Sequence, residues 1–489
     1  MITIEERKQE AKQYRKTTPR KALGQWTVKT GRPEVEQLIL EQEQNRQQDL
    51  IPIRRERMSA SPFSFFRGSA AIQARDLSVS PGTPFRVQAC GDAHISNFGI
   101  FASPERRLVF DINDFDETLP APFEADAKRL FASIEICGRQ KGMAKEKRAE
   151  AVYSAAELYR QSMAALSDKG NMEVWYEHID LEALLEEKAD SLDGRQKKRA
   201  ESVLTKAFLK NSERAVTKLT ETVDGKLRIK SNPPLIVPVR DLIGEDKVRF
   251  DFHYNIRQAI DLYKESLPAG RQHLIDQYEP LEMAHKVVGV GSVGRRAWIL
   301  ILMGRENGDP LVLQIKEADH SVLEAYYGAS MYEKCGQRIV EGQRAIQNSG
   351  DILLGWVRLK TVSGGTRDYY VRQLWDAKYT FDLETLQEDS FHLLSRLCAR
   401  TLALAHAKTG DRHAIAGYLG SNDAFEEAMV QYAASYADQN EADYEMFLKS
   451  LKGDHPYEKN HYPADCPGIA CHDPVLHRCG RGGGNLEFP

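Results

Sequence analysis

Gly91-Asp92-Ala93-His94-Ile95-Ser96-Asn97, followed by Leu108-Val109-Phe110-Asp111-Ile112-Asn113-Asp114-Phe115-Asp116-Glu117, places a carboxylate and an amide five positions apart on one tight loop. The acidic cluster follows 22 positions after Asp92, at the end of an apolar run. Oxygen donors in this pattern can converge on a hard cation, for which Mg²⁺ is the natural candidate. Acidic loops are also common on protein surfaces, where a solvated or hydrogen-bonded turn accounts for them. The pairing of the two halves is what points to a metal.

A second motif lies about 200 positions later. Val288-Gly289-Val290-Gly291-Ser292-Val293-Gly294 is followed by two apolar runs, and Lys316 stands 22 positions after Gly294. Glycines in a strand–turn–strand expose backbone N–H groups to phosphates, and a lysine on a nearby strand neutralises them. A dinucleotide-binding unit would instead require a helix after the glycines and an acidic residue about 20 positions on. The β-rich continuation with Lys316 therefore favours a kinase arrangement over NAD binding, and a plain hairpin with glycines at its turn is the bland alternative.

The chain has 489 residues, 42% hydrophobic and 28% charged, which is ordinary globular usage. That length predicts about two to four structural units. A net charge of −4 supplies no global attraction to nucleic acid or anionic membranes, so neither is expected as a partner. The first 21 residues lack the apolar core of a secretory signal, and Ala297 to Met303 falls far short of a membrane span. A cytoplasmic protein is expected, with Cys90, Cys137, Cys335 and Cys398 as reduced, buried thiols.

Residues 1–60 read as a peripheral helical arm whose basic positions (Lys12, Arg15, Lys16, Arg20 and Lys21) form a solvated face. Residues 61–235 hold the loop and a helical lobe, with short strands at Phe85-Arg86-Val87 and Leu108-Val109-Phe110 and helices from Pro122 to about Lys169. Residues 236–380 form a glycine-turn β lobe, in which Asn307-Gly308 signals a hairpin. Residues 381–452 are helices completing the helical lobe, led by Phe391 to Ala407, and 453–489 are an irregular tail. The tail holds Cys466, Cys471, Cys479, His461, His472 and His477 at spacings that do not match a zinc framework.

The segments SPFSFFRG (61–68), CGDAHISNF (90–98), VFDINDFDET (109–118), VEGQRAIQ (340–347) and YVRQLWD (370–376), with 405–419, resemble a bacterial family known as domain of unknown function 2252. That family looks related to the protein-kinase-like superfamily, in particular to aminoglycoside and choline phosphotransferases. The resemblance implies an α+β, bilobal fold with a small antiparallel β lobe and a larger helical lobe. The catalytic loop precedes the glycine turn here, so the fold would be circularly permuted relative to kinases. Domain termini often lie close together, which makes permutation physically tolerable.

The resemblance implies ATP and Mg²⁺ as cofactors and an unidentified hydroxyl acceptor. Asp92 would accept the acceptor proton, with His94 beside it, and Asn97 would ligate metal. Asp114 resembles the metal-binding aspartate, with Asp111 and Asp116 competing for that role. Gly289, Gly291, Ser292, Gly294 and Lys316 would hold the phosphates, and Glu341, Glu333 or Glu324 would be the helix partner of Lys316, Glu341 being preferred. Cys90 stands where the phosphotransferase loop begins with His, so the bond that braces the loop must come from elsewhere or be absent. Gly410-Asp411-Arg412-His413 offers a rival, unpermuted catalytic loop, although no asparagine follows five positions after Asp411. Arg67, after Phe63, Phe65 and Phe66, faces a phosphate or an acidic substrate group, or else caps the edge of the core. A silent pseudokinase and a nucleotidyl (AMP) transferase are the alternative functions.

Overall fold

The computed structural model describes residues 3–187, 202–207, 209, 212–243, 253–287, 289–304, 309–347, 349–360, 365–374 and 377–452. The Asn307-Gly308 turn and the Cys/His tail lie outside them. Twelve strands are present among the described residues. They are β1 (Arg86–Ala89), β2 (Phe98–Ala102), β3 (Leu108–Ile112), β4 (Leu119–Pro122), β5 (Thr220–Val223), β6 (Lys226–Ile229), β7 (Ile236–Pro238), β8 (Tyr278–Lys286), β9 (Ala297–Gly304), β10 (Pro310–Ala318), β11 (Gly355–Lys360) and β12 (Thr366–Gln373). The architecture is a mixed α+β one, with a six-stranded antiparallel sheet and three two-stranded ones.

The six-stranded sheet runs β11-β12-β10-β9-β8-β7. Alternation along its strands sends successive side chains to opposite faces. Trp298, Leu300, Leu302, Leu311, Leu313, Tyr369 and Val371 bury one face against Ile256, Ala259 and Tyr263 of the helix His253–Lys264. Ile299, Ile301 and Val312 face the other way, where Ala215, Val216 and Leu219 of the helix Ser212–Leu219 cover them. Lys316 and Tyr370, which are paired in register, also lie on this second face. It is completed at the β12 end by the helix Cys335–Ile346, whose Ile339 and Val340 are fully buried.

The helical body packs the helices Phe123–Gln140, Lys145–Ser167, Glu388–Thr409, Arg412–Leu419 and Ala424–Lys452 around β1 to β4. Val152, Ala155, Ala156, Tyr159 and Met163, expected on one helix face, are all buried there. Burying each large apolar side chain contributes about 1.5–3 kcal/mol. The two strands expected around the loop do not pair with each other: β1 pairs with β4, and β3 with β2. The connection leaving β12 returns to the body, where Ile100 and Tyr379 exchange backbone hydrogen bonds of 2.9 and 2.8 Å.

The first sixty residues are built into the cores instead of lying beside them. Ala11, Leu23 and Trp26 join the helical body, and Val35, Leu38 and Ile39 pack with Met58, Phe65, Ile72 and Phe447. Glu43 is buried between Arg54 (3.0 Å) and Arg55 (2.6 Å), and Arg32 between Asp76 (2.9 Å) and Asp443 (2.6 Å). Arg15, expected on a solvated face, donates to the Tyr418 carbonyl at 2.9 Å. The four described cysteines carry free thiols, three of them buried.

Gly336 shows how tightly the helix Cys335–Ile346 sits on the sheet, because a Cβ there would lie 2.4 Å from the Tyr369 carbonyl oxygen and 3.1 Å from Trp356 Cβ. Gly336→Ala should push the helix outward and destabilise the fold by about 1–3 kcal/mol, read as a lowered midpoint in thermal unfolding.

Candidate functional site

The loop 90–97 hangs on one face of the helix Phe123–Gln140. Asp126, Arg129 and Ser133, at helical spacings of three and four, all point toward it. Asp126 accepts from the backbone N–H of Cys90 (2.7 Å) and of Gly91 (3.0 Å), and Ser133 Oγ accepts from the N–H of Ile95 (2.8 Å). Behind Asp126, His406 Nε2 lies 3.4 Å from the same carboxylate, and its Nδ1 is 2.7 Å from the Tyr159 hydroxyl. The brace that Cys90 cannot supply therefore comes from a buried carboxylate on the next helix. Gly91 makes the tight entry possible: its φ is +85°, and a Cβ would meet the Glu117 carbonyl oxygen at 2.1 Å.

Within the loop, Arg129 Nε donates to Asp92 Oδ1 at 2.7 Å. Arg129 is itself fixed by Gln73 Oε1 (3.0 Å), by the Phe66 carbonyl (2.6 Å) and by stacking 3.8 Å over the Phe66 ring. Burial raises the Asp92 pKa, with Arg129 and Arg67 opposing the shift. His94 Nε2 stands 3.6 Å from Asp92 Oδ2, and its Nδ1 is 3.0 Å from Ser96 Oγ. Burial, reinforced by Arg67 and Arg129, lowers the His94 pKa well below its usual value, so the ring is neutral at pH 7. Asn97 Nδ2 donates to the carbonyls of Asp92 and Asp114, both at 3.0 Å, tying the loop to the acidic cluster and leaving its Oδ1 for another partner.

From β10, Lys316 Nζ lies 2.5 Å from Asp116 Oδ2 and 3.5 Å from Asp114 Oδ2. The Asp114 side chain is 41% exposed and that of Lys316 3%. Asp116 also accepts from Tyr370 OH (2.8 Å) and Ser292 Oγ (3.3 Å), with Arg295 Nη1 3.9 Å away. Burial opposes its charge, but Lys316 and Arg295 hold the Asp116 carboxyl well below the usual range. Burial likewise opposes the Lys316 charge, and Asp114 with Asp116 raises its pKa above the ordinary value.

The glycine turn, a short 3₁₀ turn at Val290–Ser292, is held from outside. Arg46 donates to the carbonyls of Gly291 (2.9 Å) and Val293 (2.6 Å), and the Gln47 N–H to that of Gly294 (2.7 Å). Gly294 has φ +87°, and a Cβ there would meet Arg46 Cβ at 2.9 Å. Gly289 opens the turn with open space where a Cβ would project.

The sequence pattern of a family described as "Uncharacterized protein conserved in bacteria (DUF2252)" matches residues 46–450, a span that takes in the loop, the acidic cluster, the glycine turn and Lys316. The chain belongs to this family. Neither the curated proteins nor the solved structures return a match. In this member of the family, 405 consecutive positions thus carry the matched pattern, and only the first part of the arm and the end of the chain lie outside it.

Several residues expected at the site are placed elsewhere. Asp111 points away from Lys316: its charged neighbours are Lys408 and His178, and burial raises its pKa to about 6. Asp116 is consumed by Lys316, Tyr370 and Ser292, which leaves the half-exposed Asp114 carboxylate and the buried Asn97 Oδ1 as the remaining oxygen donors. Glu341 pairs with Arg344 (3.0 Å), Glu333 with Arg358 (2.5 Å), and Glu324 with His320 (2.9 Å), so none of them is the partner of Lys316. Asp411 caps the helix Arg412–Leu419, accepting from the N–H groups of His413 and Ala414, and faces Arg7 at 3.5 Å. Among the described residues no group of three or more His, Cys, Asp or Glu side chains is placed to hold a metal.

Asp126, Arg129, Arg46 and Arg338 escaped the sequence reading. Arg338, buried on the helix Cys335–Ile346, donates to the carbonyls of Thr118 (2.7 Å), Asp116 (2.8 Å) and Asp319 (2.7 Å). A signal existed for Asp126 and Arg129: charged residues among Phe123, Leu130, Phe131 and Ile134 on one helix are those for which burial demands a partner.

Two outcomes follow from this geometry. Asp126→Ala leaves the Cys90 and Gly91 N–H groups unpaired, costing about 1–3 kcal/mol for each in denaturant unfolding, whereas Asp126→Asn retains an acceptor and loses less. For Asp111, the folded-state pKa of about 6 lies above its ordinary 3.8, so its contribution is complete below the lower value and lost as pH rises through the upper one. Asp111→Asn should therefore flatten the dependence of the thermal midpoint on pH between about 4 and 6.

Proposed function

We propose that this protein is an ATP- and Mg²⁺-dependent phosphotransferase acting on a hydroxyl group, on a kinase-like fold in which the catalytic loop precedes the glycine turn along the chain. The observation that carries this reading is the meeting of Asp92, Asn97 and Asp114 with Lys316: Asn97 bonds to the backbone of both aspartates, and Asp114 lies 3.5 Å from a lysine 202 positions away. The order glycine turn, strand, lysine strand, two helices and two strands also supports the reading, because kinases likewise carry the phosphate-contacting lysine on a strand that follows the glycine-rich loop.

Asn97 Oδ1 and the half-exposed Asp114 carboxylate suit a Mg²⁺ ion, which commonly takes one or two protein oxygens and completes its shell with water and phosphate. When bound, that ion would neutralise charge on the phosphates. Asp92 is held by Arg129 with Oδ2 turned to His94, and would take the acceptor proton; the neutral ring of His94 orients it. Lys316 would shift part of its interaction from Asp114 to phosphate oxygens while Asp116 keeps it in place.

A second reading is a nucleotide-binding module without transfer. It is favoured by Lys316 being satisfied already by two carboxylates, Asp116 and Asp114. Incubation with Mg²⁺ and ATP labelled separately on the α- and γ-phosphates separates the cases. The expected result is transfer or hydrolysis of the γ label, reduced about 10²–10⁴-fold in Asp92→Ala with binding kept. Lys316→Ala should weaken binding and turnover together. Transfer of the α label would indicate nucleotidyl chemistry, binding without turnover the silent module, and no nucleotide binding would end the reading altogether.

A further inference from the structure

The helix Pro62–Gly68 carries near Asp92 and Asp114 one side chain, Arg67, that the roles above leave unused. Its flanks are pinned: Phe63 packs edge-on against His94 with ring centres 6.4 Å apart, the Phe66 carbonyl accepts from Arg129, and the Gly68 carbonyl accepts from Arg54 at 2.7 Å. The Arg67 carbonyl oxygen lies 3.4 Å from where a Gly291 Cβ would be, so the same helix abuts the glycine turn. The Arg67 side chain itself makes no hydrogen bond or ion pair with the described residues, and its Nε is buried without a partner.

The other arginines around the site are engaged. Arg129 closes on Asp92, Arg295 on Glu117 (3.2 Å), Arg338 and Arg46 on backbone carbonyls, and Arg372 on Gln314 (3.0 Å) and the Asn113 carbonyl (3.0 Å). The carboxylates whose charge Arg67 feels are Asp92 and Asp114, and neither approaches within ion-pair distance. Arg67 is partly buried, and an Nε–H enclosed without an acceptor is unfavourable, a cost that a ligand bringing the missing anion would relieve. Its planar fork of donors suits a tetrahedral oxyanion.

We propose, resting on the phosphotransferase reading, that Arg67 binds the phosphoryl group in flight between Asp92 and Asp114. In the step, the acceptor hydroxyl gives its proton to the Asp92 carboxylate while its oxygen bonds to the γ-phosphorus. The bond from that phosphorus to the bridging oxygen breaks, and the diphosphate leaves with the electron pair. Arg67 holds the equatorial oxygens, whose charge is unsatisfied by Lys316 or the protein's other donors. Arg67 is thereby a catalytic residue supplied by the N-terminal part of the chain, outside both the loop and the glycine turn.

The test compares wild type, Arg67→Met and Arg67→Lys in Mg·ATP titration calorimetry, single-turnover ATP cleavage and thermal unfolding, with and without Mg·ADP plus fluoroaluminate as a mimic of the planar phosphoryl group. Arg67→Met should retain Mg·ADP binding, cleave about 10²–10³-fold more slowly, and lose the additional thermal shift that fluoroaluminate gives the wild type. Its unliganded midpoint should equal or exceed that of the wild type, because a charged group with a buried, unpartnered Nε has been removed. Arg67→Lys should recover part of the rate. Cleavage and fluoroaluminate response at wild-type levels in Arg67→Met overturn the role of Arg67 and leave the phosphotransferase reading standing. A lowered unliganded midpoint with proportionate loss of Mg·ADP binding overturns it in favour of a structural role. A wild type that binds no Mg·ATP overturns both.

Discussion

The ion pair between Lys316 and Asp116, 2.5 Å long and buried, joins the six-stranded sheet to the helical body. Taking two charges out of water is expensive, and such a pair is tolerable only when the remaining lone pairs and protons are satisfied. Here Tyr370 and Ser292 complete Asp116, and Asp114 completes Lys316. Since Tyr370 comes from β12, Ser292 from the glycine turn and Lys316 from β10, four separate segments must be in register before the charge is compensated. A displacement of any one would leave a buried charge exposed to its own desolvation cost.

Around this pair the backbone of the acidic cluster is fixed from several directions. Arg338 takes the carbonyls of Asp116 and Thr118, Asn97 that of Asp114, and Arg372 that of Asn113. Main-chain groups that would otherwise be unpaired inside the protein are thus used to hold the one half-exposed carboxylate, Asp114, in place. The arm reinforces the arrangement through Arg46, whose two bonds to the glycine turn leave that turn little freedom. Preorganisation of this kind lets few groups act on a ligand without first being rearranged.

Part of this was legible in the chain. The helices from Pro122 onward and the long one near Phe391 follow from three-four apolar spacing, and they appear as Phe123–Gln140, Lys145–Ser167 and Glu388–Thr409. The strands β9 and β10 follow from apolar runs, and Asp92, Asn97, Asp114, Ser292 and Lys316 do assemble in one region. Illegible were the choice among neighbouring carboxylates and the partner of the lysine. Asp111 and Asp114 differ in sequence only by position along one strand end, yet the first faces Lys408 and the second Lys316, because the chain leaves β3 at Ile112 and turns. Glu341 was the expected partner of Lys316 and pairs instead with Arg344, since the lysine is saturated by carboxylates from the acidic cluster.

What the sequence by itself determined was local: residue types at short spacings, the alternation that makes strands, the periodicity that makes helices, and the presence of a loop, an acidic cluster and a glycine turn. These depend on neighbours a few positions apart and need no knowledge of the rest of the chain. Tertiary structure alone decided that Asp126 replaces a side-chain brace within the loop, that Arg46 secures the glycine turn, and that Arg67 is left without a partner between two carboxylates. Each of those facts joins segments tens or hundreds of residues apart, where burial sets the cost of every unpaired charge and only the packed chain determines which charges meet.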